Sequence, residues 1–405
     1  MRHLLAPILT APILTALTLT LPAHAETLTN QIGHDGLAKV EARLAAQTAP
    51  TADDLFALGG VQFLRAIEIS FQDRWREGLT DRTGIVPLLR LPMADNPAPA
   101  TFDPAALVGI FIHTGDKLAE AKATLGQIPA SAVVDLRIDL DDLWLDINAN
   151  TARDPGEGIA DILGPAGFGG ETSATHLPSV HFDMADAAWL SAYADLLMAF
   201  CDMVRAYDPT EPLTRITRAH DRMVALGPLT PDPIFSTGGD DPARLDGLDL
   251  AAVIIATLNQ QPDKARMASA RQHLLAMIAE NRLFWDRVAT ETDDDHEWLP
   301  NDNQRSALGV DLPKGTGPAW LAVLDDLEAV LNGKLLMPFW RAGPPAGLNM
   351  RKFFEQPAPI DLAGWIQGWA VVPYLEKGTV VSRAAADAFD RMVQGQTMLF
   401  TLYLN

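Results

Sequence analysis

Apolar side chains recur at intervals of three and four along residues 52–79, where Leu55, Leu58, Val61, Leu64, Ile67 and Phe71 share one face. That spacing predicts one amphipathic helix or two, with Asp53 and Asp54 at the start. Beyond a turn at Gly84, residues 85–91 are apolar and strand-like, and residues 92–104 form a Pro/Ala-rich connector. Asp103 and Pro104 then read as the cap and first position of a second helix reaching about Leu125. The period next changes from helical to alternating. Val134, Leu136, Ile138 and Leu140 are separated by charged residues, the pattern of a half-buried strand. Residues 179–182 are the next extended segment, and a long helix runs from Asp183 to about Tyr207. Its stripe of Trp189, Tyr193, Leu196, Phe200, Val204 and Tyr207 has the spacing of a core face; the other reading is a ligand groove.

Residues 210–242, rich in Pro, Thr, Gly and Asp around a short helix at 213–226, form a connector and the best domain boundary. Further helices are expected near 248–259, 263–289, 317–332, 361–371 and 383–394, with Trp320, Leu324, Leu327 and Leu331 lining one face of the third. Residues 335–340 and 398–404 are apolar enough to pair as a second small sheet. The expected fold is therefore mainly α with small β elements (α+β). The helical pairs have the size of tetratricopeptide-type units, so a repeat-like array is a further expectation, although no residue signature recurs at a fixed period. The expected divisions are a signal peptide at 1–25, an N-terminal helical region at 26–209, the connector at 210–242 and a C-terminal helical region at 243–405.

The first 25 residues change the picture by pointing to export. Arg2 and His3 precede an apolar stretch to Leu21, and Ala23-His24-Ala25 has the small-x-small pattern that signal peptidase reads. The mature chain then begins at Glu26, in the periplasm or outside the cell, and no later segment has the run of about 18 apolar residues that a membrane span needs. Cys201 is the only cysteine, so an internal disulfide is excluded and the fold rests on its core. A hydrophobic content of 48% over 405 residues suffices for one. The net charge of -21 excludes a nucleic-acid partner, opposes binding to anionic lipid, and favours cations and basic partners.

One loop carries specific chemistry. Asp146, Asn148, Asn150, Asp154 and Glu157 occupy the first, third, fifth, ninth and twelfth positions of a twelve-residue stretch, and Ala152 stands at the seventh. Calcium takes six to eight oxygens; this spacing supplies them from five side chains and the Ala152 carbonyl, with a bidentate Glu closing the shell. With Trp144 ahead of it and Asp154-Pro155-Gly156-Glu157-Gly158-Ile159 at its end, the segment resembles the calcium loops of dockerins and of the B-type repeats in bacterial surface adhesins. That resemblance covers about sixteen residues and implies an ion rather than an activity. Thr151 departs from it, because the sixth position is ordinarily Gly with positive φ. The plainer alternative is a solvated loop whose Asp and Asn residues make Asx turns. Its setting reads as strand–loop–strand.

No metalloprotease, nucleophile-elbow, phosphate-loop, dinucleotide or Cys-x-x-Cys motif occurs, and residues 164–170 read as a plain Gly-rich loop. Two clusters could serve a carboxylate-dependent hydrolase: the acidic run at 291–298, also a candidate second metal site, and His181 with Asp183. Their plainer readings are a solvated loop and a helix cap. The leading expectation is an exported calcium-binding protein acting as a binding or scaffolding module in the envelope, its partner an unidentified protein or glycan. The alternative is a hydrolase of glycan or peptide. No residue is assigned a catalytic role.

Overall fold

The computed structural model describes residues 27–79, 86, 88–163, 176–227, 247–310, 312–396 and 404. The elements in order are α1 (Leu28–Asp35), α2 (Leu37–Ala45), α3 (Ala52–Glu77), α4 (Pro104–Leu125), β1 (Leu136–Asp139), α5 (Ile159–Leu163), β2 (Ser179–Phe182) and α6 (Met184–Tyr207). They continue with α7 (Thr210–Val224), α8 (Gly247–Leu258), α9 (Lys264–Val288), α10 (Thr316–Leu331), β3 (Ala346–Leu348), α11 (Met350–Glu355), α12 (Leu362–Gln367), β4 (Leu375–Lys377) and α13 (Ala384–Met392). The protein is mainly helical with two two-stranded antiparallel sheets, β1–β2 and β3–β4. Helix lengths among the described residues run from five to 26 residues, unlike a series of equal units.

Helix ends follow local chemistry. Thr51 accepts from the Asp54 N–H while Asp54 accepts from the Thr51 N–H, a reciprocal capping box that starts α3 one residue ahead of the two acids. Asp103 caps α4 through the Ala105 N–H, and Asp183 and Asp186 form a second capping box on α6. The helices pack in the order α3, α4, α6, α9. Close approach is set by small side chains: Ala192 and Ala199 of α6 are fully buried, and a Cβ at Gly59 of α3 would lie 2.6 Å from Leu125 of α4. Although α6 is long and apolar enough to cross a membrane, it packs against both α4 and α9. Its aromatic stripe is core, with Trp189 and Leu196 in one cluster and Tyr193, Phe200 and Val204 in another. Cys201 is buried there, and burial pushes its thiol up to about 12, so it is inert as a nucleophile. A single cluster joins Ala185, Ala192 and Tyr207 to Phe284, Trp320 and Leu404, so apolar packing is continuous across the 210–242 connector.

Two local expectations are corrected, and a third falls largely outside the described residues. Residues 86 and 88–91 form a turn and not a strand: Arg90 N–H reaches the Val86 carbonyl, and Leu88 has φ +67°. The cause is Arg74, a buried guanidinium that takes the carbonyls of Leu88 and Leu91 at 3.1 and 3.0 Å. Ile85 and Pro87 lie outside the described residues. The second sheet is built by β3 and β4, with Met337 bridging Leu348 and Leu336 bridging Val380; residues 398–403 lie outside the described residues, as does the Gly-rich 164–170. Finally, the calcium-type loop exits into the short helix α5, whose Ile159 and Ile162 enter the core at helical spacing too brief to be read as a period.

Candidate metal centre

The loop at 146–157 is closed by a neck. Leu145 N–H donates to the Glu157 carbonyl at 2.9 Å, Ile159 N–H to the Leu143 carbonyl at 3.0 Å, and Trp144 faces Gly158 across an antiparallel bridge. Trp144 anchors the neck by donating its indole N–H to the Ile32 carbonyl at 2.9 Å. Its ring lies on Gly36, where φ is +78° and a Cβ would stand 2.9 Å from the indole, so only glycine serves. From the other side α3 grips the first loop residue. Glu68 accepts the Asp146 N–H at 2.7 Å and Gln72 donates to the Asp146 carbonyl at 2.8 Å, one turn apart on the helix. Glu68 is held by Arg65, which also meets Glu41 of α2, and Glu41 binds Lys117 of α4. The sequence offers no signal for this clamp, because its members stand far from the loop in the chain.

Inside the loop the expected side chains turn inward. Asp146 accepts from the N–H groups of Asn150 and Thr151 at 2.9 and 3.0 Å; Asn148 accepts from Asn150, and Asn150 from Ala152. Asx turns are therefore present, and they build the ring of polar side chains rather than competing with it. The amides of Asn148 and Asn150 both donate to the same Oδ2 of Asp154 at 2.7 Å. Glu157 spans the loop, accepting from Ile147 and Asp154 at 2.9 and 2.8 Å. Ala152 is exposed at the outer turn.

Thr151 adopts φ +64°, the left-handed conformation that the sixth position demands, and Ala149 adopts +58°. A left-handed non-glycine residue costs about 1–2 kcal/mol, part of which glycine loses again through unfolded-state entropy. Thr151→Gly is therefore expected to raise stability by about 0.5–1 kcal/mol, read as a higher denaturant midpoint. A lower midpoint contradicts this turn.

Charge in the loop is unbalanced. Asp146, Asp154 and Glu157 form no ion pair among the described residues. Glu157 is only 3% exposed, and burial pushes its carboxyl upward, reinforced by Asp146 and Asp154. Among the described residues no three His, Cys, Asp or Glu side chains form a ready metal-binding group. The full set is nonetheless all oxygen, from three carboxylates, two carboxamides and a main-chain carbonyl, which fits a hard cation. Asp154 Oδ2 already collects two polarised N–H groups where a cation would sit.

The two other clusters are neighbours in space. His181 N–H donates to the His296 carbonyl at 3.0 Å, Ala307 N–H to the Glu297 carbonyl at 2.8 Å, and the charge of Asp183 acts on the Glu291 carboxyl. The His181 side chain meets Asp135 at 3.0 Å, and Asp183 acts as the cap expected of it. Phe182 and Trp189 pack on Trp298 with ring centroids 6.0 and 5.3 Å away. Burial, then Asp183, pushes Glu291 up to about 8; burial also raises Asp186 and Glu297. A carboxyl raised above its unfolded value binds more protons in the folded state, so its stabilising contribution is full below about pH 4.5 and declines as pH rises toward 8. Thermal midpoints should fall across that window, and Glu291→Gln should flatten the fall. An equal slope in both proteins contradicts the raised Glu291 carboxyl.

The cleft lined by Arg215, Ala252, Ile255, Ala256, Asn259 and Gln260 offers no carboxylate among its described residues. Comparison with protein-family models, with curated proteins and with solved structures finds no match, so the functional reading rests on this geometry.

Proposed function

We propose that the chain is an exported calcium-binding protein of the cell envelope, holding one structural calcium ion in the 146–157 loop. Asp146, Asn148, Asn150, Asp154 and Glu157 are its side-chain donors and Ala152 its carbonyl donor. The observation that carries this reading is a neck-closed loop whose inward carboxylates have no ion-pair partner while one of them is buried. The amino-terminal sequence supports export. The protein then acts as a binding or scaffolding module toward a protein or glycan. The hydrolase reading draws no comparable support: Asp183 is engaged as the cap of α6 and Glu291 accepts from Gln304.

Isothermal titration of the mature protein with calcium tests the proposal. One site with a dissociation constant of about 0.1–1 mM is expected. At tenfold excess over that constant the ion adds only about 1.4 kcal/mol, so a chelator should soften the loop and leave the helical core folded. No saturable calcium binding at millimolar concentration overturns the assignment.

A further inference from the structure

Residues 333–383 carry charge opposite to the rest of the chain. Lys334, Arg341, Arg351, Lys352, Lys377 and Arg383 stand against Glu355, Asp361 and Glu376, a net +3 within a chain of -21. The three carboxylates are half-buried, and every one of the cations except Lys352 is exposed. Lys352, Arg351 and Arg383 are engaged by Glu376, Glu355 and Asp387, and Lys334, Arg341 and Lys377 remain as exposed cations with no ion pair among the described residues, so the outward field they set is cationic.

The same segment holds a group of exposed large apolar side chains: Trp340 is 73% exposed, Ile366 67%, Val372 62% and Trp369 56%. Arg341 draws them together, stacking 5.3 Å over the Trp340 ring while donating to the Gln367 carbonyl at 2.8 Å. Trp369 is fixed by its indole N–H on Asp361 at 2.9 Å. In the same segment Phe353 meets Trp365 and Tyr374 edge-on, with centroids 5.8 and 5.7 Å away. Side chains exposed to this degree project from the surface. A glycan or peptide groove half-covers its aromatics, and a folded partner needs a matching hollow for each projection; a fluid bilayer interface accepts projecting Trp, Ile and Val as they stand.

We propose that this lobe docks the protein on an anionic phospholipid bilayer, with Trp340, Ile366, Trp369 and Val372 entering the interface and Lys334, Arg341 and Lys377 meeting the headgroup phosphates. The acidity of the whole chain does not prevent this, because salt screens charge beyond about 8 Å and leaves the local sign to decide. The docking goes beyond the calcium reading and uses none of the loop residues.

The test is co-sedimentation of the full mature chain with vesicles of phosphatidylethanolamine and phosphatidylglycerol, and with phosphatidylcholine alone. Binding to the anionic vesicles is expected at about 0.15 M salt, where the charge of the rest of the chain is screened, and unchanged by a calcium chelator. Trp369→Ala and Ile366→Asp should each lower partitioning about tenfold, and Lys334→Glu with Lys377→Glu at least about thirtyfold, with unaltered melting. Failure to bind anionic vesicles at about 0.15 M salt, equal binding by Ile366→Asp, or binding that requires calcium overturns the proposal. So does lipid-free self-association abolished by Ile366→Asp, which would make a second copy the occupant.

Discussion

Asp195→Ala is expected to lower stability by about 3 kcal/mol, the largest loss of any single polar substitution considered. Asp195 lies on α6, fully buried between α4 and α9, where it pairs with Lys122 and accepts from Nδ1 of His273 at 2.8 Å. Two turns on, Asp202 holds Arg266 of α9 at 3.0 Å. This polar seam ties together the helices that carry the core. Removing the carboxylate takes from Lys122 and His273 their shared partner, leaving Asp202, 4.0 Å from His273 Nε2, as a more distant carboxylate, and the loss of that partner outweighs the lost contact itself. For a protein of this size the loss corresponds to a fall in Tm of about 4 °C. Glu211→Ala, which breaks an exposed Arg215 pair, should change stability by less than about 0.5 kcal/mol. Equal effects from the two variants would contradict the role given to burial.

Glu157→Gln is expected to weaken calcium binding about 100-fold, against about fivefold for Asn150→Ala. The Glu supplies a full charge and two oxygens, the Asn one neutral oxygen. Glutamine keeps one oxygen for the Ile147 N–H and escapes the cost of burying a charge, so calcium-free stability should stay within about 1 kcal/mol. Affinity and folding are thereby separated. An affinity loss that tracks the melting midpoint would mean that the variant disturbs the loop rather than the ion.

Much of the fold was legible because it rests on long periodic segments. Helices α3, α4, α6, α9 and α10 follow from apolar spacing and from caps such as Asp103 and Asp183. What escaped was short or depended on distant partners. The helices α1, α2, α5 and α11 span five to nine residues, too few for a period to declare itself. The turn at 88–91 reads as a strand until the buried Arg74 takes its carbonyls. In the candidate site, residue spacing points to the proposed donors and singles out Thr151, which adopts φ +64°. Spacing could not give the Glu68–Gln72 clamp or the Ile32 carbonyl under Trp144, since those contacts join residues 74 or more positions apart. In the sequence the acidic run at 291–298 and His181–Asp183 stand as separate clusters, and the contacts of β2 with His296, Glu297 and Trp298 make them one.

A crystal structure of the mature protein grown with calcium tests the central claim most directly. The account predicts one ion in the 146–157 loop, with oxygens of Asp146, Asn148, Asn150, Asp154 and Glu157 and the Ala152 carbonyl at about 2.3–2.6 Å. A loop with no ion, its side chains splayed away from a common centre at millimolar calcium, would contradict it.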